Sequence, residues 1–357
     1  MASNLLDFAL ASYRKEEFPC LYHQYHEWSD SRPLAGVRVF DATPVFKNTC
    51  PKYAALIAAG ADLTVGLSGA FLGYPEVLKL LSDLGVKTAQ DEFVGGEYDV
   101  VLDCAGRHHL KTPTRGFVEL TRTGVPFYES SSHPCISVDN SKTKLLEDYL
   151  GTGDGFMRGL SALDFQSVVG RIFLVFGFGK VGKGICMRLH QAGAIVHVVD
   201  KVGQVQAVPH IPMIDIDDVA AVTSCANVAD CIVTATGVAG ALAGKYPVSA
   251  FVRSGVVLAN IGAEDEFGPD IDDKDILNNN KSLNFILEDP TKMCFIDATM
   301  ALHNESGLYL WENDCAPGVM HTPPALDEKF MQMTREKGKI AEDLKLLDWL
   351  LDEVQNE

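Results

Sequence analysis

The sequence predicts an α/β fold in two parallel-sheet domains, one of them doubly wound. Three observations carry this expectation. The chain has 357 residues, which suits about two domains, each with its own core. Short apolar runs alternate with helical stretches through both halves, the pattern of consecutive βα units. A glycine-rich turn also stands between one such run and the helix that follows it.

In chain order, residues 1 to 30 place Leu5, Phe8, Tyr13, Phe18, Tyr22, Tyr25 and Trp28 at irregular helical spacing, and are expected to pack on the first domain. From Gly36 the runs are VRVF at 37 to 40, a helix around Lys52 to Ala59, DLTVGL, a helix from Pro75 to Leu84, and DVVLDC. The small residues of GTGDG, 151 to 155, read as a hinge between the domains. A second series begins with RIFLVFGFGKVGKG, continues through IVHVVD, CIVTATG and VVLANIG, and ends in FIDATM followed by LYLW. Leu326 to Val354 reads as one amphipathic docking helix. The expected domains are therefore 1–150, joined by 320–357, for substrate, and 151–319 for a dinucleotide.

Composition excludes several function classes. With 47% hydrophobic and 22% charged residues, the chain is neither disordered nor of low complexity. Thirty basic residues against 48 acidic ones leave a net charge of −18, which repels phosphate backbones and anionic lipid, so neither nucleic acid nor membrane is an expected partner. Nine scattered cysteines without a CxxC pair suit a reducing compartment. The first apolar stretch contains Asp7 and lacks a basic leader, and no window approaches the roughly 20 apolar residues of a membrane span. The expected location is cytoplasmic. No metal is expected, because His23 and His26, His108 and His109, and the cysteines lack clustered ligand spacing. The acidic run EDEFGPDIDDKD does not match a calcium loop and reads as a solvated loop before a helix start.

The glycine-rich turn is Gly177-Phe178-Gly179-Lys180-Val181-Gly182, after the apolar run Ile172 to Phe176. Asp200 closes the next apolar run, IVHVVD. Gly177 allows the tight turn, Gly179 lets backbone N–H groups approach a pyrophosphate, and Gly182 lets the helix press on the strand. The helix N-terminus adds partial positive charge. A carboxylate at Asp200 accepts from a ribose 2′-hydroxyl and repels a 2′-phosphate, which favours NAD, with Lys201 beside it acting the other way. The alternative is a turn whose glycines serve only close packing. Thr234 to Gly237, including Thr236, and Asn260-Ile261-Gly262 are further strand ends suited to the same Rossmann-type site.

Across SRPLAGVRVF, AALIAAGADL, YDVVLDCAG, RGFVELTRTGV, VDNSKTKLLED, GFGKVGKG, TATG, ANIG and CAPGVMHTPP, in that order, the chain resembles S-adenosylhomocysteine hydrolase, as a divergent and shortened member of the family. The resemblance implies a tightly held NAD that oxidises a ribose 3′-hydroxyl, elimination of homocysteine, addition of water, and return of the hydride. It places the lysine and aspartate that handle the hydroxyl at Lys144 and Asp148, four residues apart as a helical pair requires. It places Thr43 beside the nucleoside, Asp139 and Asn140 at the substrate, and Thr121, Thr123 and Asn313 with the cofactor. Arg122 stands for a third threonine, and Tyr149 for an asparagine.

Three departures touch the chemistry. Cys104 replaces the catalytic second aspartate of the family's pair, Leu120 replaces a ribose-binding glutamate, and Ala263 replaces a catalytic histidine. An alanine moves no proton, so the standard release of homocysteine loses its expected acid–base group. Replacement carriers are Cys104, Glu119, His133 and His321. The expected activity is NAD-dependent oxidation, net or transient, of a secondary hydroxyl on a nucleoside-like or polyol-derived small molecule. The alternatives are a catalytically attenuated NAD-binding paralogue acting through a protein partner, and ordinary S-adenosylhomocysteine hydrolysis. A homo-oligomer is expected, without the family's tail exchange, since the terminal DEVQNE lacks the basic and aromatic tail.

Overall fold

A computed structural model describes all residues except 68–72, 91–96, 164, 166, 206–210 and 356–357, with the side chains of 349–355 also outside the description. The last residues of DEVQNE therefore lie outside the described residues. The chain forms two compact units, Met1–Leu146 with Met293–Lys345, and Glu147–Lys292 with Leu346–Glu357. Strands β1 (Arg38–Asp41), β2 (Asp62–Leu67), β3 (Lys87–Gln90), β4 (Val100–Asp103), β5 (Gly116–Glu119) and β6 (Pro134–Ser137) come first. The second unit contributes β7 (Ile172–Phe176), β8 (Ile195–Asp200), β9 (Met213–Asp215), β10 (Cys231–Thr234) and β11 (Val257–Asn260), and β12 (Gly318–His321) returns to the first.

The first sheet has the order β12-β6-β5-β4-β1-β2-β3, with every pair parallel. The order reverses between β1 and β4, the place where open α/β sheets bind ligands beyond their carboxyl ends. The second sheet, β11-β10-β7-β8-β9, is also parallel and reverses between β7 and β10. Its strands are buried on both faces. Phe173 and Val175 join one core, with Ile185 and Leu189 of the helix Lys180–Gln191, while Leu174 and Phe176 join another around Tyr246 and Phe251. Continuous apolar runs such as IFLVF are what a sheet covered on both sides demands.

Four local expectations need correction. The segment 151–155 is helical rather than an irregular linker: a π-turn Leu146–Gly151 runs into the helix Thr152–Ala162. Its glycines serve contact instead, since a Cβ on Gly153 would lie 2.6 Å from the Gly184 carbonyl oxygen. FIDATM and LYLW are parts of one 20-residue helix, Met293–Glu312, which lies in the first unit rather than with residues 151–319. That helix is buried nearly all round, so it shows no amphipathic stripe to mark it. The C-terminal segment is two helices, Pro324–Lys337 and Ala341–Gln355, broken at Gly338, where a side chain would meet the Thr334 carbonyl. Within the supposed solvated loop, Glu266 is fully buried. Among the described residues no helix is long and apolar enough to cross a membrane, and no cluster of three or more His, Cys, Asp or Glu side chains is arranged for a metal.

Candidate functional site

In the second unit the turn after β7 forms at the sheet's reversal point. Gly177 has φ +93°, and a Cβ on it would strike the Ala235 carbonyl at the end of β10. A Cβ on Gly182 would collide with the Gly177 carbonyl, so the helix Lys180–Gln191 starts in direct contact with the turn. At Gly179, by contrast, a Cβ would meet nothing within 4 Å, leaving open space over the N-terminus of that helix. Asp200, at the end of β8, reaches back to the turn and accepts from Phe178 N–H at 2.6 Å through Oδ2, and from its neighbour Lys201 N–H at 2.7 Å through Oδ1. The open cradle, the helix end and the carboxylate beside it fit a dinucleotide. The Lys180 ammonium lies 3.1 Å from Asp148.

The other two strand ends divide their labour. Glu266 accepts from Thr236 N–H and Oγ1, and from Gly237 N–H, at 2.7 to 2.8 Å, holding the loop after β10. Its carboxylate also fills the space that a side chain on Gly262 would need. Burial pushes the Glu266 pKa up, against these donors. Thr234 Oγ1 donates to Asn260 Oδ1 at 3.2 Å, and the Asn260 amide donates to Glu264 O, Asn280 O and Asn280 Oδ1. Thr234 and Asn260 thus spend polar atoms inside the protein, and Ile261 is buried beside them. Lys180, Thr236 and Gly237 stand nearer the cradle's surface.

In the first unit, buried charge collects at the reversal point of the sheet. Asp41 closes β1, accepts from Thr43 N–H at 2.8 Å, and is ion-paired with Lys52, and both side chains of the pair are fully buried. Burial lowers the Lys52 pKa, while Asp41 raises it. Thr43 is buried with its Oγ1 unpartnered. His303, from the helix Met293–Glu312, places Nε2 3.0 Å from the Val118 carbonyl and leaves Nδ1 without a partner. Burial, with the Lys52 charge and more weakly that of Lys144, pushes its pKa down to about 3, so the ring is neutral at pH 7.

On the next two strands, Asp103 and Glu119 are register partners at the ends of β4 and β5. Glu119 accepts from Ala105 N–H, Gly106 N–H, and Thr121 N–H and Oγ1, at 2.7 to 3.0 Å. Ala105 and Gly106 both have positive φ, +64° and +65°, so their successive N–H groups form a small nest for the carboxylate. Holding Ala105 there costs about 1–3 kcal/mol, which the Glu119 bonds offset. Asp103 accepts from Cys104 and His108 N–H and from the Tyr128 hydroxyl. Burial, then the neighbouring Glu119 charge, pushes Asp103 up to about 7, and burial also raises Glu119. Glu119 anchors the Cys104 loop through these bonds.

The remaining expected residues are placed as follows. Cys104 is half-buried beside Asp103. Thr121 and Thr123 share a hydroxyl contact at 3.2 Å. Asp139 is buried just past β6, and its neighbour Asn140 places Nδ2 3.2 Å from His321 Nδ1 at the end of β12. Asn313 is exposed and donates to Tyr309 O. Lys144 is buried in the turn Lys142–Leu145, whose N-cap Ser141 accepts its N–H. Asp148 belongs to the π-turn that follows, and its carboxylate lies 3.1 Å from the Lys180 ammonium. Sequence reasoning passed over Lys52, Asp41, His303, Tyr128 and Glu266. Lys52 could have been flagged as the one charge within the otherwise apolar CPKYAALIA.

Residues 151–305 match the model of the S-adenosyl-L-homocysteine hydrolase NAD-binding domain. The chain is 26% identical over 314 residues to the adenosylhomocysteinase of Sulfurisphaera tokodaii, covering 78% of this chain and 74% of that protein. It is 27% identical over 282 residues to the S-inosyl-L-homocysteine hydrolase of Methanopyrus kandleri, covering 71% and 65% respectively. Among solved structures, a dipicolinate synthase from Bacillus halodurans aligns with a TM-score of 0.47 at 13% identity, over 78% of this chain and 99% of that one.

Proposed function

As an S-adenosylhomocysteine hydrolase-like protein with an NAD-binding domain in its second half, this chain, we propose, oxidises a secondary hydroxyl of a nucleoside-like or polyol-derived small molecule, either for good or transiently before an elimination or hydration. The observation that carries the reading is the glycine turn with Asp200 in register, together with the retained Lys144 and Asp148. Gly177, Gly179, Gly182 and Asp200 would hold the cofactor by close backbone approach and a ribose contact. Bound NAD supplies a hydride acceptor.

The protein's own part is proton handling. Lys144, buried, takes the hydroxyl proton as the C–H bond breaks, with Asp148 held in place by Lys180. The losses at Ala263 and Leu120 favour one second reading, a paralogue that keeps NAD and acts through a protein partner. The experiment is to denature purified protein and quantify NAD and NADH before and after incubation with adenosine, inosine, S-adenosylhomocysteine and ribitol. A compound-dependent rise in bound NADH, lost in Lys144→Ala, supports the oxidation. Bound NAD that no compound reduces supports the paralogue.

A further inference from the structure

His23 and His26 belong to no metal cluster, but they do line a cavity. It has a volume of about 570 Å³ and lies in the first unit, between the short turn Lys15–Glu17, the helix Pro19–Ser31 and the end of the helix Pro324–Lys337. Pro19, Tyr22, His23 and His26 stand at positions i, i+3, i+4 and i+7 of one helix, and so share a face. The adjoining face of that helix, with Cys20, Leu21, Gln24 and Trp28, is buried in the unit's interior. Cys20 fixes the far wall, since its thiol meets the Phe330 carbonyl at 3.6 Å and the Thr334 hydroxyl at 3.5 Å. Lys337, three residues past Thr334, is thereby brought to the lining. The rings are set edge to face: His26 lies 4.5 Å from Tyr22 and 5.2 Å from Tyr25 between centroids, and Tyr22 lies 6.0 Å from Phe18. Among the described residues, the Lys15 and Lys337 ammoniums have no ion-pair partner, and the Tyr22 hydroxyl and the His26 ring nitrogens have no hydrogen bond. Lys329, two turns earlier on the same helix, shows the contrary case, paired with Glu305 at 3.1 Å and Glu27 at 3.7 Å. His23 also lies 3.5 Å from Glu27, and Glu16 is the one carboxylate of the lining. With 48 acidic residues against 30 basic ones, cations in this chain have carboxylates in excess, yet two unpaired ones meet over a single cavity.

We propose that this cavity binds a small organic anion, a phosphate or carboxylate carried on a ring or other apolar body. The two ammoniums and the Tyr22 hydroxyl meet the anionic head by charge-assisted hydrogen bonds, and the Tyr22 and His26 rings with Pro19 meet the body. The volume calls for the body, because it falls within the range of about 300–1,000 Å³ common to small-molecule sites, most of which a bare inorganic anion would leave unfilled. The net charge of −18 repels anions at long range, so the attraction is local to the two lysines and salt screens it. The cavity shares no residue with the glycine turn after β7 or with the buried charges at the reversal point of the first sheet, and the inference stands apart from the proposed oxidation.

The test is calorimetric titration of the full-length protein, with excess NAD present to occupy the glycine turn, using phenyl phosphate, benzoate, inorganic phosphate and benzyl alcohol. The proteins are wild type, Lys15→Gln/Lys337→Gln, and Lys79→Gln/Lys274→Gln, which removes the same total charge from exposed positions elsewhere. Lys15 and Lys337 are exposed, so their loss should leave the fold intact, and circular dichroism checks this. We expect phenyl phosphate or benzoate to bind wild type at one site, the tighter of the two identifying the head group, and inorganic phosphate and benzyl alcohol to bind at least about tenfold more weakly. Lys15→Gln/Lys337→Gln should weaken the ring-bearing anion about tenfold, and Lys79→Gln/Lys274→Gln should bind as wild type does. Raising sodium chloride from about 50 to about 300 mM should weaken it severalfold. No binding of either ring-bearing anion at millimolar concentration overturns the proposal. So does binding that Lys15→Gln/Lys337→Gln leaves unchanged, or that both double variants weaken alike. Benzyl alcohol as tight as phenyl phosphate makes the cavity merely apolar, and inorganic phosphate as tight makes it a pair of surface charges; either result overturns the site described.

Discussion

Replacing Lys52 by methionine should be among the most damaging single substitutions in the first unit. The methionine keeps the length and apolar stem of the lysine but strands Asp41, which is fully buried and retains only the Thr43 N–H as a described donor. Removing one partner of a buried ion pair costs about 3–5 kcal/mol, because an uncompensated charge stays inside. That range corresponds to between about a hundredfold and several-thousandfold in the unfolding constant. With a urea dependence of about 2 kcal/mol per molar, the midpoint should fall by about 2 M. Tryptophan fluorescence suits the measurement, since Trp28 and Trp311 both belong to the first unit. The double variant Asp41→Asn/Lys52→Met retains an oxygen for the Thr43 N–H and should recover more than half the loss. A single variant within about 0.5 kcal/mol of wild type, or a double variant whose loss equals the sum of the two singles, would refute the coupling.

Three further outcomes follow from the same geometry. Gly182→Val places atoms against the Gly177 carbonyl and should empty the protein of dinucleotide, read as NAD released on denaturation, while a strain of about 1–3 kcal/mol stays within the second unit. If Gly182→Val retains full NAD, the helix does not need its close start. Asp200→Asn weakens the preference against a 2′-phosphate and should let NADP compete for the site, measured as the ratio of bound NADP to NAD after equilibration. Asp297, buried beneath the Cys20 and Leu21 N–H groups, is pushed by burial up to about 7. A carboxyl with a raised folded pKa stabilises most below its unfolded value and loses that contribution as pH rises through about 7, at up to about 1.4 kcal/mol per pH unit for each proton. Asp103 titrates in the same window, so wild type should lose melting temperature between pH 4 and 7, and Asp297→Asn should flatten the slope by one proton's share.

What was legible in the sequence was local. β7, the turn, the helix and Asp200 form one continuous βαβ stretch, with Gly177 and Gly182 at the close backbone contacts and open space at Gly179. The strands VVLD and CIVT stood out because their sheets bury both faces. What failed depended on distant partners or on uniform burial. Nothing near Met293–Glu312 announces a helix, since it has no wet face and its Asp297, Thr299, His303 and Asn304 are paired with residues far away in sequence. Lys52 passed unnoticed in its helix and Glu266 fell within a run that read as a solvated loop, because their burial is decided by neighbours the local pattern does not contain. The nest that holds Glu119 could not be read from the sequence, since it depends on Ala105 adopting a conformation no propensity favours.

The return of β12 to the first sheet has a consequence for how the chain is made. Pro134 of β6 pairs with Gly318, so the edge of that sheet closes only after the whole intervening unit has been synthesised. On the ribosome, β6 waits as an open parallel edge, covered later by a strand about 180 residues downstream. The helix Met293–Glu312, which supplies His303 and Asn304 to the buried charge cluster, arrives equally late. Nascent chains halted before residue 293 would therefore carry the Glu147–Lys292 part of the second unit, still without its Leu346–Glu357 segment, beside a half-built first unit.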